Sequence, residues 1–228
     1  MSITENLAAI RRHLPVHVQL VCVSKFHSNQ SIYEAYEAGE RIFGENKVQE
    51  VCQKHDTLPK DIAWHFIGHL QTNKVKLLAP FVSLIHGIDS MKLLEEIDKQ
   101  AEKHHRVIDC LLQVHIAEET TKFGFSPDEL TGLMESGEWK KLSSVRICGL
   151  MGMATFTDDQ EQIRSEFRSL KTLFDRIQSN YFQGDGSFSI LSMGMSDDYL
   201  IAIGEGSTMV RIGSSIFGTR NYNETICQ

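Results

Sequence analysis

Apolar positions along the chain fall into short runs that alternate with amphipathic stretches from one end to the other. Residues 3–13 open the pattern, with Leu7, Ile10 and then Leu14 on one side at helical spacing. Strand-like runs follow at 18–24, 41–43, 63–67, 82–86, 107–116, 145–151, 188–192 and 209–212. Helix-like segments lie between them at 29–38, 45–54, 70–78, 91–104, 159–179 and 196–203, and another is opened by Ser126-Pro127-Asp128-Glu129. Ser90 and Ser196 are placed to cap the helices behind them, and Pro127 suits a first helical turn. In the longest helix Ile163, Phe167, Leu170, Phe174 and Ile177 form one stripe, which predicts a core-facing side.

Eight strands, each but the last followed by a helix-like segment, predict a TIM (β/α)8 barrel with an extra N-terminal helix. An open doubly wound sheet is the weaker alternative. No repeat, low-complexity tract or linker divides the chain, and such a barrel typically takes about 250 residues. The 228 residues therefore predict one domain, 1–228.

Composition narrows the function class. The chain is 41% hydrophobic and 23% charged, as an ordinary soluble globule is, and its formal charge of −7 argues against a nucleic-acid partner, which needs a basic face. Five cysteines without a CxxC pair predict reduced thiols and a cytoplasmic protein. The first residues lack a signal pattern, and no run approaches the roughly 20 apolar residues of a membrane span.

In a barrel of this kind the chemistry gathers where strands end. Lys25 closes the first apolar strand, where partial desolvation makes an amine a better nucleophile toward an aldehyde. Alone it reads equally as a packed stem with its ammonium in water. Two loops change the picture: Ser192-Met193-Gly194-Met195-Ser196 after strand seven and Arg211-Ile212-Gly213-Ser214-Ser215 after strand eight. Backbone N–H groups of a Gly/Ser turn can wrap a phosphate, and barrel phosphate sites commonly form from these two loops. A lysine at the mouth of the first strand with a phosphate-type loop after the last is what a pyridoxal 5′-phosphate (PLP) site in such a barrel would look like. An inward Arg211 would face the pyridine nitrogen and disfavour its protonation; a salt bridge to a neighbouring strand is the alternative. Asn46, after Gly44-Glu45, could bond the ring oxygen or simply start a helix. His65 and His69 do not form the HExxH zinc pattern, so no metal is expected. No GxSxG elbow, Walker A loop or GxGxxG fingerprint appears.

Five segments carry a resemblance: Val21-Cys22-Val23-Ser24-Lys25, Phe43-Gly44-Glu45-Asn46, residues 64–74 (WHFIGHLQTNK), residues 192–198 (SMGMSDD) and residues 210–218 (VRIGSSIFG). In this order they strongly resemble the PLP homeostasis proteins, single-domain relatives of the alanine racemase N-terminal barrel. The resemblance implies PLP as a Schiff base on Lys25, with phosphate contacts from Ser192, Gly213 and Ser214. It implies Arg211 near the pyridine nitrogen, Asn46 lining the pocket, and Lys122 as a secondary lysine for cofactor transfer. Phe26-His27-Ser28, where many relatives carry Thr and Pro, and His115, where many carry Asn, depart from the pattern only at the pocket mouth. The implied role is a monomeric PLP carrier and regulator that supplies apo-forms of PLP enzymes without turnover of its own. An amino-acid racemase is the runner-up; it would need a second base from a further domain, for which the chain has no room after Gly218. A Schiff-base aldolase acting on sugar phosphates is a third reading.

Overall fold

The computed structural model describes residues 2–119 and 123–218. Chain order runs α1 (Ile3–His13), β1 (Gln19–Val23), α2 (Asn29–Glu37), β2 (Ile42–Glu45), α3 (Val48–Thr57), β3 (Ala63–Phe66), α4 (Val75–Leu78), β4 (Leu84–Ile88), α5 (Met91–Lys103) and β5 (Ile108–Val114). It continues through α6 (Pro127–Ser136), β6 (Val145–Gly152), α7 (Gln160–Tyr181), β7 (Ile190–Ser192), α8 (Tyr199–Gly204), β8 (Met209–Ile212) and α9 (Ser214–Phe217). The strands close a barrel in the order β1 to β8, all neighbours parallel, with β8 returning to β1. This is the expected (β/α)8 architecture, with α1 as the additional helix.

Local chemistry explains the helix starts. Ser2 with Glu5 and Ser126 with Glu129 form capping boxes, Pro127 occupies the first turn, and Ser28, Ser90 and Asp159 accept from first-turn N–H groups. Strand alternation sorts the core into two layers. Leu20 and Cys22 face the helices, whereas Val21 points inward with Leu84, Leu111, Cys148, Met151 and Met209. On β6, Gly149 has φ of +153°, and an added Cβ would lie 1.7 Å from the Ile190 carbonyl oxygen. Its neighbour sits at a register shift against β5, so a glycine is what lets β6 bulge and still approach β7.

Several boundaries differ from the sequence pattern. Gly44 and Glu45 belong to β2, pairing with His65 and Phe66, so the next helix begins at Val48. Gly44 acts as a strand glycine: a Cβ there would meet the Val21 side chain at 2.9 Å. The expected helix at 70–78 is a 3-10 turn, Thr72–Lys74, followed by the single turn α4. Strand β4 starts at Leu84 because Val82 still bonds back to Leu78. Ser196 does not cap α8, which starts at Tyr199 after Asp198; its hydroxyl accepts instead from the Gly213 N–H. A short helix, α9, follows β8 where none was expected. Among the described residues no helix is long and apolar enough to cross a membrane, and Cys22, Cys52, Cys110 and Cys148 are free thiols.

Candidate functional site

A cavity of about 410 Å³ opens at the C-terminal ends of the strands, the functional face of a β/α barrel. Lys25, Asn46, Arg211, Gly213 and Ser214 all line it, joined by His27, His69, Ser196 and an apolar rim of Met153, Phe156 and Met195. A wider depression of about 560 Å³ lies at the opposite mouth, around the Arg11–Glu40 ion pair, away from every sequence-predicted site residue.

Lys25 follows β1 at a turn whose next residue, Phe26, adopts φ of +66°. Such a conformation is costly for a bulky residue and persists only where its surroundings hold it. Here a buried polar network does so. The Phe26 N–H donates to Glu50 Oε1 at 2.7 Å, and Lys54 Nζ donates to the same oxygen at 2.7 Å. Lys54 Nζ also donates to the Ser24 carbonyl at 2.8 Å and to Glu45 Oε1 at 2.7 Å, while Ser24 Oγ donates to Glu45 at 2.6 Å. Both flanks of Lys25 are thereby tied to one ammonium. Burial pushes the Glu45 carboxyl up from its ordinary value, and Lys54 opposes that shift.

Arg211 points inward and is only 4% exposed. Its Nη1 donates to the Ser192 carbonyl at 2.9 Å and to Ser192 Oγ at 2.7 Å, and Nη2 donates to the Gly152 carbonyl at 3.1 Å. Burial lowers its pKa to about 10, which leaves it cationic at neutral pH. Among the described residues no carboxylate is paired with it, so the salt-bridge alternative does not hold.

Ser192 does not line the cavity. Its side chain is fully buried, held by Arg211 and by His86 Nδ1 at 3.2 Å. His86 Nε2 in turn meets His65 Nδ1 at 3.1 Å. These inward histidines of β3 and β4 form a neutral polar chain beneath Arg211. Burial lowers His65 to about 3 and also carries His86 well down, with Arg211 adding repulsion there. Sequence reasoning weighed His65 only as a metal ligand. Its inward phase on β3, two residues after Ala63, was the available signal.

Gly213 carries the exit of β8 close against β1, where a Cβ would meet the Val23 carbonyl oxygen at 3.0 Å. The N–H groups of Ser214 and Ser215 lie in the first turn of α9, outside its own hydrogen bonds. Asn46 Oδ1 is buried with no hydrogen-bond partner among the described residues, although its residue lines the cavity. His69, weighed from sequence as a strand-end group and as a metal ligand but given no role toward PLP, lines the cavity with Nδ1 3.1 Å from Asp89 Oδ2 and its ring stacked on Phe123. Lys122 lies outside the described residues.

A half-buried amine, an arginine that pairs with no carboxylate among the described residues and a hydroxyl-rich turn meet on one cavity at the top of a β/α barrel. The family model for the alanine racemase N-terminal domain matches residues 1–221. The pyridoxal phosphate homeostasis protein of Aquifex aeolicus is 42% identical over 90% of this chain and 88% of its own. That of Pasteurella multocida is 35% identical over 98% of this chain and 100% of its own. The structure of PipY from Synechococcus elongatus with PLP bound superposes with a TM-score of 0.86 at 36% identity, covering 95% of this chain and 100% of that one. An alanine racemase from Clostridium difficile shares the fold alone, at 14% identity and a TM-score of 0.77, with 58% of its length covered. The chain belongs to the pyridoxal phosphate homeostasis protein family, within the alanine racemase N-terminal-domain barrels.

Proposed function

We propose that this chain, as one domain spanning 1–228, binds PLP reversibly and carries and buffers it for apo-forms of PLP enzymes. The observation that carries the reading is the meeting of Lys25, Asn46, Arg211, Gly213 and Ser214 on one cavity. The polar set fits the group: among the described residues the buried Asn46 Oδ1 has no partner and Arg211, a cation near Asp198, has no carboxylate at ion-pair distance. When bound, PLP supplies an aldehyde for an amine to capture as a Schiff base and a phosphate for N–H and O–H donors to grip.

Lys25 provides the amine, held at its turn by the Lys54 network. Gly213 and Ser214 bind the phosphate, joined by the cavity-lining Ser196. Ser192 acts one layer deeper, fixing Arg211, which orients the ring nitrogen. Asn46 Oδ1 accepts from the ring hydroxyl or from a bridging water. The protein works as a cytoplasmic monomer and turns over no amino acid; relatives named homeostasis proteins support the second part of that reading. Alanine α-proton exchange in heavy water is accordingly expected to stay at the level of free PLP; enzyme-dependent exchange would replace the carrier with a racemase.

The direct test is an absorbance spectrum after adding PLP, followed by borohydride reduction and peptide mass mapping. A yellow protein with the reduced pyridoxyl group on Lys25 is expected. Lys25→Ala should lose the reducible adduct yet keep weak PLP binding through the β7 and β8 loops. A protein that stays colourless overturns the reading. A reducible adduct in Lys25→Ala moves the anchor to another lysine, with Lys122 tested first.

A further inference from the structure

We propose that His69, oriented by Asp89, is the proton-carrying group of the cavity and speeds both capture of PLP on Lys25 and its release. This deepens the ligand reading above and rests on it. The imidazole stands three residues beyond β3 and the carboxylate one residue beyond β4, so both lie close to strand ends. Two glycines set their spacing. A Cβ on Gly68 would lie 2.5 Å from the Asn46 carbonyl oxygen, and one on Gly87 would lie 2.6 Å from the Gly68 carbonyl oxygen. The ends of β2, β3 and β4 are therefore packed backbone to backbone, with His69 and Asp89 carried on that packing.

Orientation follows from two contacts. His69 Nδ1 lies 3.1 Å from Asp89 Oδ2, so Nδ1 keeps its hydrogen and donates it, leaving Nε2 as the basic atom. The ring face stacks on Phe123 with centroids 4.0 Å apart and planes within 14°, which restricts its rotation. An imidazole aligned by a carboxylate at the wall of a cavity is the arrangement that general acid–base chemistry uses. Arg211 stays protonated, and His65 and His86 are held neutral by burial. His27, stacked on Phe217, and Asp197 also line the cavity; the Asp89 contact is what singles out His69.

The chemistry needs such a group. The neutral Lys25 amine adds to the aldehyde carbon: the C–N bond forms, the carbonyl π pair moves to oxygen, and one amine proton passes through solvent to that oxygen. The resulting hydroxyl leaves as water once it gains a second proton. Protonated His69 Nε2 gives that proton, the C–O bond breaks and the C=N bond closes, with the amine's other proton staying on nitrogen. In release, water adds to the C=N carbon and returns one proton to Nε2; the hydroxyl proton then passes to nitrogen as the C–N bond breaks and the aldehyde re-forms. Because the same group serves both directions, it changes rates and leaves the equilibrium where it was. For a carrier this separates how firmly PLP is held from how fast it is handed over.

The experiment mixes the full-length protein with PLP in a stopped-flow instrument and follows growth of the absorbance band. Release is followed by diluting loaded protein into a phosphatase that destroys free PLP. His69→Gln is expected to slow both rate constants by at least about tenfold, a floor set below the roughly 100-fold or more that a positioned acid–base group usually contributes. Equilibrium occupancy, measured by titration, should stay as in the wild type. Asp89→Asn should slow both steps by a smaller factor, and added imidazole should restore the rate of His69→Ala. Loading and release as fast as in the wild type would overturn the proposal. So would a loss of occupancy that tracks the loading rate while release is unchanged, or a His69→Ala protein that loads fully but ignores imidazole. Absence of any band in the wild type would instead overturn the ligand reading.

Discussion

The neutral histidine chain beneath Arg211 makes the fold sensitive to mild acid. His65 titrates near 6.5 in an ordinary setting but only at about 3 in the folded protein, because burial penalises its charged form. Between those values the unfolded chain binds a proton that the folded chain refuses. The stability His65 confers by staying neutral is therefore complete above about pH 6.5 and is lost as pH falls toward 3. One such group costs up to about 1.4 kcal/mol per pH unit, which integrates to about 2 kcal/mol between about pH 7 and about pH 5. His86 shifts in the same direction and adds to the loss, since its protonation would put a second cation beside Arg211. Urea unfolding at the two pH values measures the effect; at an m-value of about 2 kcal/mol per molar, His65 alone moves the midpoint by about 1 M. The comparison protein carries His65→Gln and His86→Gln together, replacing both rings with amides that do not titrate. Its pH dependence should be flatter than the wild type's by the sum of the two contributions. An equal acid dependence in both proteins would refute the reasoning, because exposed histidines and carboxylates are common to both.

Two further outcomes test the scaffold around the site. Lys54→Met removes an ammonium bonded to the fully buried Glu45 and should cost about 3–5 kcal/mol in thermal or urea unfolding; combining it with Glu45→Gln should recover part of that loss, and no recovery would mean that packing rather than charge dominates there. Gly149→Ala forces a methyl to within 1.7 Å of the Ile190 carbonyl oxygen at φ of +153° and should destabilise the barrel by about 4 kcal/mol or more; a wild-type melting temperature would show that β6 can relax out of its bulge.

The strand count, the barrel and the grouping of Lys25 with the Arg211 loop were legible because they rest on period and on strand ends, which sequence carries directly. Element boundaries were less so. Gly44 read as a turn because glycine usually punctuates strands, yet here its missing side chain makes room for Val21 inside the ladder. Ser196 had the chemistry of a cap, but the loop after β7 is drawn across to β8, where the Gly213 N–H competes for that hydroxyl. Ser192 is the same lesson in the other direction: an N–H- and hydroxyl-rich loop announces polar contacts without saying whether they reach a ligand or a buried arginine. The His69–Asp89 pairing was invisible because its members follow different strands, and no local spacing links the loop after β3 to the loop after β4.

The arrangement divides labour between two sides of the cavity. In the proposed reading the β7–β8 side would supply the anion grip through Ser196, Gly213 and Ser214, and the β1–β4 side the amine with its proton carrier, all lining one cavity. A grip made of hydroxyls and backbone N–H groups holds a phosphate whether or not the aldehyde has reacted. Capture on Lys25 then adds a reversible bond to a ligand already in place, which is why removing the lysine should weaken binding rather than abolish it. Release requires the bond to open first and the grip to let go second. A partner that takes PLP from this protein would therefore gain speed from the proton carrier only while opening of the bond, not loss of the phosphate, is the slower step. Weakening the grip with Ser214→Ala should leave the His69-dependent slowing of release intact, whereas slowing that vanished with Ser214→Ala would place the limiting step at the phosphate.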